Sequence, residues 1–314
     1  MPTYQTKTTG GTPVTRVATL LESALARATS TPPSSDSRRS SLSALLMEAH
    51  AVVSGEEVYL ERNTSELLVP RSHPVPEPRV RAVWNDLLEM TETTDWVKLK
   101  DQGQTRFELG CGMCSGPYEA VVLQNLALLQ RTRSVLEIGV FTGTATLALA
   151  LLPSVTEVVA LDIEPYLKDT VEPYWDRAGV LAKIDFRIAP ALESLSALTS
   201  VQHAPFDLVF IDADKPSYKA YVQAVLDGGL LAEDGVILAD NTLYKGYPWV
   251  TPGATATQTD SDLDFGQSNR TNNKSKTEAT AGIDEFNTFV RNHPDLETAM
   301  LPIRDGITII RRRI

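Results

Sequence analysis

The chain has 314 residues, 42% of them hydrophobic, with a formal net charge of −11 at pH 7 and two cysteines. A chain of this length buries one large core, and no apolar run approaches the roughly 18 residues that a membrane span needs. The acidic balance repels phosphate backbones and anionic lipid, so neither nucleic acid nor a membrane is an expected partner, and two cysteines exclude a disulfide framework.

Residues 1–40 read as a flexible Ser/Thr/Pro-rich N-terminus that ends in "ATSTPPSSDSRRSSLS", a composition that does not support a packed core. Within it "VATLLESALARA" has the spacing of a short helix. No signal-peptide core precedes it, and a cytoplasmic location is expected. Residues 41–108 read as a helical N-terminal extension, because "LSALLMEAHAVV" and "VRAVWNDLLEM" place apolar residues at helical spacing around a Pro-rich break. Cys111 and Cys114 then form a C-x-x-C. Zinc would need two more ligands, and the four histidines lack ligand spacing, so the pair reads as structural.

Residues 109–314 carry the main domain, with a polar insertion at 250–280. "PYEAVVLQNLALLQRT" predicts a helix, "SVLEIGV" a strand, "TATLALALLP" a helix and "EVVALDI" a strand. Helix "YLKDTVEPYWDRAG", strand "KIDFRIA", helix "ALESLSAL", strand "FDLVFIDAD", helix "KAYVQAVLDG" and strand "GVILADN" follow. Short apolar strands alternating with amphipathic helices call for a doubly wound α/β sheet covered on both faces. "ETAMLPIRDGITIIRRR" breaks the alternation as two strands joined at Arg304-Asp305-Gly306, an antiparallel hairpin at the sheet edge. Its three terminal arginines form the only dense basic patch and read as a solvated last strand.

Ligands of such sheets bind beyond the carboxyl ends of the strands. "VLEIGVFTGTA" places Glu137, Gly139 and Gly143 at the first such end, with E-x-G-x-x-x-G spacing in place of the dinucleotide G-x-G-x-x-G. Asp162 ends the next strand, 25 residues after Glu137, where an acid usually meets ribose hydroxyls. The two features together point to an adenosine-type ligand.

"LEIGVFTGTATLALAL", "AGVLAKIDFRIAPALESL", "FDLVFIDADKPSY", "ADNTLYKG" and "LPIRDGITIIRR" resemble the cation-dependent, S-adenosylmethionine-dependent O-methyltransferases of the caffeoyl-CoA and catechol type. The resemblance covers residues 110–250 and 280–313. It implies a Rossmann-like sheet of about seven mostly parallel strands with an antiparallel terminal hairpin, and a homodimer. It places Glu137 and Gly139 beside the methionine part of S-adenosylmethionine, with Gly143 in the same turn. Asp162 falls on the ribose, Ala191 at the adenine, and Met113 and Ser115 at the cofactor lid, with Glu119 at the acid that follows. Where the family usually has a Ser against the cofactor carboxylate this chain has Ala145, with Thr144 and Thr146 beside it.

The resemblance also makes Asp212, Asp240 and Asn241 ligands of a divalent cation. Two carboxylates and an amide are hard oxygen donors suited to Mg²⁺. A phenol with a pKa near about 10 is almost wholly protonated at neutral pH, and chelation by a cation would acidify and orient it. Lys215 matches the family's proposed base, a role that requires it to lose its proton; charge support for the phenolate is the alternative. Asp214 reads as a helix cap. Tyr244 stands where the family often has a substrate-facing Trp. The 250–280 stretch, with Arg270, Lys274 and Lys276 among several acids, favours a free catechol-like or polyketide-derived phenol over a CoA ester. Two other readings are a methyltransferase-like interaction protein and a nicotinamide-dependent oxidoreductase; the latter rests on fold analogy alone and leaves "DADK" and "DNT" unexplained.

Overall fold

A computed structural model of the chain describes residues 77–249 and 273–313, together with scattered helical positions before residue 50. The expected N-terminal stretch 1–40, the first part of the helical extension and insertion residues 250–272 lie outside the continuous described segments. Residues 273–280 of that insertion begin a helix.

Seven strands form one sheet: β1 (Ser134–Ile138), β2 (Glu157–Asp162), β3 (Ile184–Ile188), β4 (Phe206–Ile211), β5 (Leu231–Ala239), β6 (Leu296–Leu301) and β7 (Ile307–Arg312). Their order is β3-β2-β1-β4-β5-β7-β6. The first five pair in parallel, and β7 runs antiparallel to both β5 and β6. The mostly parallel sheet with an antiparallel terminal hairpin is therefore the one expected from the sequence.

The helices of the continuous described segments are α1 (Glu77–Thr93), α2 (Trp96–Asp101), α3 (Gly116–Leu129), α4 (Thr144–Ala150), α5 (Tyr166–Arg177), α6 (Ala191–Ser200), α7 (Tyr218–Asp227) and α8 (Asn273–Asn292). The two-residue period of the strands divides their side chains between two cores. Leu208 and Phe210 of β4 pack with α1, α4 and α5, while Val209 and Ile211 face α6, α7 and α8. This is why the strand sequences are apolar almost without alternation. In α1, Val80, Val83, Trp84, Leu87 and Leu88 are buried, the i, i+3, i+4, i+7, i+8 stripe of an amphipathic helix. That stripe joins the same core as α4 and α5.

The ladder hydrogen bonds continue past the strand ends. Asp212 N donates to Ile138 O at 2.9 Å, and Asp240 N to Ile211 O at 2.9 Å. The residues just after β1, β4 and β5 are thereby held side by side at one edge of the sheet.

Candidate active site

Gly139 has φ +92°, and a Cβ there would lie 2.0 Å from the Asp212 carbonyl oxygen. Only glycine lets the turn after β1 pass so close to the end of β4. Gly143 has φ +72°, and its added Cβ would meet Trp175 Cζ2 at 2.3 Å, so packing against α5 accounts for that residue. Asp162 Oδ2 accepts hydrogen bonds from Val140 N and Phe141 N at 2.9 and 3.0 Å, and its Oδ1 accepts from Glu164 N at 2.9 Å. The acid at the end of β2 thus shapes the turn after β1.

Glu137 is buried, and neither of its carboxylate oxygens has a hydrogen-bond partner. Burial pushes its pKa up to about 8, with Thr146 opposing and Asp212 and Asp162 reinforcing the shift. The Thr146 hydroxyl is close enough to act on the carboxylate, yet it too lacks a hydrogen bond. A buried acid is costly unless hydrogen-bonded or paired, so Glu137 could hold a group that donates hydrogen bonds or carries positive charge. Ala191 opens α6 behind Pro190. Three exposed apolar side chains accompany these segments: Met113 at 52%, Ile163 at 43% and Leu192 at 44% exposure. Ile163 and Leu192 were not singled out in the sequence; each follows a residue that was.

On the other side of the Gly139 turn, Lys215 Nζ donates to Asp212 Oδ1 at 2.9 Å and to the Tyr218 hydroxyl at 2.8 Å. Asn241, with φ +57°, donates from Nδ2 to Asp240 Oδ2 at 2.8 Å. Asp240 is buried, and its Oδ1 has no hydrogen-bond partner. Burial opposes the charge on Lys215, but the Asp212 and Asp240 carboxylates outweigh it and raise the lysine pKa. With these carboxylates as neighbours, the ammonium form of Lys215 is favoured. Tyr218 is pushed well up by burial and by the same carboxylates, and stays a neutral phenol.

Asp214 heads the 3-10 turn Lys215–Ser217 but makes no capping bond to the backbone. Its carboxylate instead accepts from the Ser217 and Tyr221 hydroxyls. The expected cap is a side-chain clamp on α7.

Two parts of the site make contacts that the sequence does not show, and the first, Glu119, is named there only as the acid that follows the lid positions. Glu119 of α3 is 2% exposed and faces Asp240. Burial raises the pKa of both; Arg304 moderates the shift in Glu119, which reaches about 7. The second part is the turn between β6 and β7, read only as a tight turn. Arg304 Nη1 donates to the Ser115 carbonyl and lies 3.8 Å from Glu119 Oε2. Asp305 accepts from Lys245 N at 2.6 Å through Oδ1 and from Leu243 N at 2.8 Å through its carbonyl, and the Gly306 carbonyl accepts from Thr242 N at 3.1 Å. Tyr244 and Lys245 both have positive φ, so the loop after Asn241 is strained and the hairpin turn holds it. Tyr244 lies near enough to Lys215 to act on its charge. No sequence signal spaces Arg304 against Ser115 or Asp305 against Leu243; the antiparallel pairing of β7 with β5 creates both contacts.

The sheet order and the acids at the ends of β1, β2, β4 and β5 define a class I methyltransferase. The chain belongs to the O-methyltransferase family, whose model matches residues 97–313, and is an S-adenosylmethionine-dependent enzyme of that kind. It is 34% identical over 208 residues to tricin synthase 1 of Oryza sativa subsp. japonica, covering 64% of this chain and 75% of the relative. Against caffeoyl-CoA O-methyltransferase 1 of Arabidopsis thaliana it is 34% identical over 204 residues, 64% of this chain and 71% of that one. In fold it resembles the SAH-bound Podospora anserina methyltransferase PaMTH1, with TM-score 0.60 and 23% identity over 84% of this chain and 96% of the other. The family match sets aside the nicotinamide-dependent reading. Among the described residues no helix is long and apolar enough to cross a membrane.

Proposed function

We propose that the enzyme transfers a methyl group from S-adenosylmethionine to one hydroxyl of a small vicinal-dihydroxy aromatic molecule, with a divalent cation, Mg²⁺ by its donor set, at Asp212, Asp240 and Asn241. The observation that carries the reading is the gathering of Asp212, Lys215, Asp240 and Asn241 at two adjacent strand ends, with Asp240 Oδ1 buried and without a partner. Among the described residues no group of three or more His, Cys, Asp or Glu side chains forms a metal-holding set; in this reading the amide oxygen of Asn241 supplies the third ligand. Hard oxygen atoms from two carboxylates and an amide suit Mg²⁺.

On the methyl-donor side, the unpartnered Glu137 fits the amino group of the methionine moiety, and Asp162 fits the ribose hydroxyls. Ala191, with the exposed Ile163 and Leu192, offers an apolar seat for adenine, and Met113 and Ser115 cover it. Gly139 and Gly143 shape the turn that brings Glu137 to Asp212. S-adenosylmethionine held by these residues would supply the methyl group, with its C–S bond breaking as the C–O bond to the phenol forms, and a cation held by Asp212, Asp240 and Asn241 would lower the phenol pKa.

Lys215, as an ammonium, stabilises the phenolate by charge, Tyr218 fixes its Nζ, and Tyr244 walls the acceptor. The phenol proton leaves to solvent. A homodimer follows from the family resemblance alone, and light scattering measures it.

The direct test is a panel of phenolic acceptors, free catechols and CoA esters included, with a labelled methyl donor. Transfer to catechols but not monophenols, requiring Mg²⁺ and lost in EDTA, is the expected result. Full activity in EDTA or in Asp212→Ala would sink the metal-dependent mechanism.

A further inference from the structure

Helix α8 spans Asn273–Asn292 and packs on two separate turns of the site, Lys215–Ser217 after β4 and Tyr244–Trp249 after β5. Three of its residues make that contact specific. Gly282 lies on the first turn so closely that a Cβ would meet Pro216 Cα at 2.6 Å, the Lys215 carbonyl oxygen at 2.8 Å and Pro216 N at 2.9 Å. All three are backbone or ring-constrained atoms that cannot swing aside. Phe286, fully buried, stands edge-on to Tyr218 with ring centroids 5.5 Å apart and planes at 88°, and Tyr218 is the residue whose hydroxyl receives Lys215 Nζ. Asn287 donates from Nδ2 to the Thr242 carbonyl at 2.8 Å, one residue beyond Asn241.

Glycine in the middle of a helix weakens it relative to alanine, and Gly282 has no positive φ that would require glycine for its own backbone. Its value is the close approach. A helix that touches the Lys215 backbone, the ring under the Lys215 ammonium and the loop after Asn241 fixes the acceptor half of the site from outside. Gly139, Asp162 and Glu137 on the methyl-donor half make none of these contacts.

We infer that α8 is the positioning element of the acceptor half, with Gly282, Phe286 and Asn287 setting where Lys215 and the Asn241 loop stand. None of the three is a catalytic residue. The inference rests on the proposed role of Lys215 and adds that this role depends on α8 while methyl-donor binding does not.

The test compares wild type with Gly282→Ala and Asn287→Ala, using Thr288→Ala, an exposed position on the same helix, as the control. For Gly282→Ala the expected result is a kcat at least tenfold lower, S-adenosylhomocysteine affinity within twofold of wild type, and faster hydrogen exchange of the backbone amides at Lys215 and Ser217–Tyr218. Asn287→Ala should lower kcat several-fold with the same unchanged affinity, and it decides the matter if Gly282→Ala does not fold. Wild-type kcat and exchange in both variants, or a loss of S-adenosylhomocysteine affinity parallel to the loss of kcat, overturns the inference. If wild type turns over no phenolic acceptor, the functional reading fails on its own, and the exchange rates at Lys215–Tyr218 still decide whether α8 sets this turn.

Discussion

Arg304 and Ser115 are 189 residues apart in the chain, yet the Arg304 guanidinium donates a hydrogen bond to the Ser115 carbonyl. This bond ties the β6–β7 turn, which also grips the Asn241 loop, to the segment proposed to cover the methyl donor. A bond to a charged group contributes about 1.5–3 kcal/mol. Arg304→Ala should therefore weaken S-adenosylhomocysteine binding by roughly tenfold or more. Arg304→Lys, which keeps the charge and one reachable hydrogen-bond donor, should recover part of that loss in the same calorimetric titration. Equal affinities in all three proteins would show that the bond does not order the covering segment.

Lys215 is held as an ammonium by Asp212 and Asp240, and two substitutions separate its two candidate roles. Arginine keeps the charge and cannot serve as a base near neutral pH. Lys215→Met should lose on the order of a hundredfold in kcat, whereas Lys215→Arg should stay within about tenfold of wild type. An arginine variant as inactive as the methionine one would return the lysine to the role of base.

Metal removal has a pH signature. Burial and the facing carboxylates raise the pKa of Asp240, so a cation bound there competes with a proton. Mg²⁺ affinity measured by titration should rise as pH is raised, with proton release on binding. In Asp240→Asn that proton linkage should shrink and Mg²⁺-dependent turnover should disappear. An affinity independent of pH in wild type would remove Asp240 from the ligand set.

The pKa of Glu137 is raised by burial to about 8, from an ordinary 4.5. A folded value above the unfolded one means that the stability linked to this group is fully present below about pH 4.5 and is lost as pH rises through about 8. Ligand-free Glu137→Gln should therefore melt higher than wild type at pH 8.5 and gain less at pH 5.5, while binding S-adenosylhomocysteine at least tenfold more weakly. A mutant less stable than wild type at pH 8.5 would contradict the buried, unpartnered state of this carboxylate.

Gly143 makes a purely structural prediction. Alanine there must adopt φ +72° and displace Trp175, a fully buried side chain 2.3 Å from the new Cβ. The cost should be about 2–4 kcal/mol, or a Tm lower by roughly 10 °C, with thermal denaturation as the measurement. An unchanged Tm would mean that α5 can move away at little cost.

Much of this architecture is legible in the chain because parallel strands buried on both faces leave continuous apolar runs, and their ends expose polar residues abruptly. Asp212 and Asp240 stand out for that reason, as the first residues after the runs "FDLVFI" and "GVILA", while Glu137 stands out as an acid inside the apolar run of β1. Residues whose purpose lies in tertiary approach do not. Gly282 looks like a helix defect until Pro216 is seen against it. Nothing in the spacing of Glu119 shows that Asp240 faces it, and Asp305 looks like half of a turn signal until Lys245 N is bonded to it. The direction of the Lys215 shift was hidden too, because it depends on how many carboxylates surround the amine.

Strand β7 follows every other strand in the sequence, yet it lies between β5 and β6. During synthesis a chain still lacking it has β5 as an open edge and lacks the hold of the hairpin turn on the Asn241 loop. A chain lacking β7 would present β5 as the edge most in need of protection from other chains.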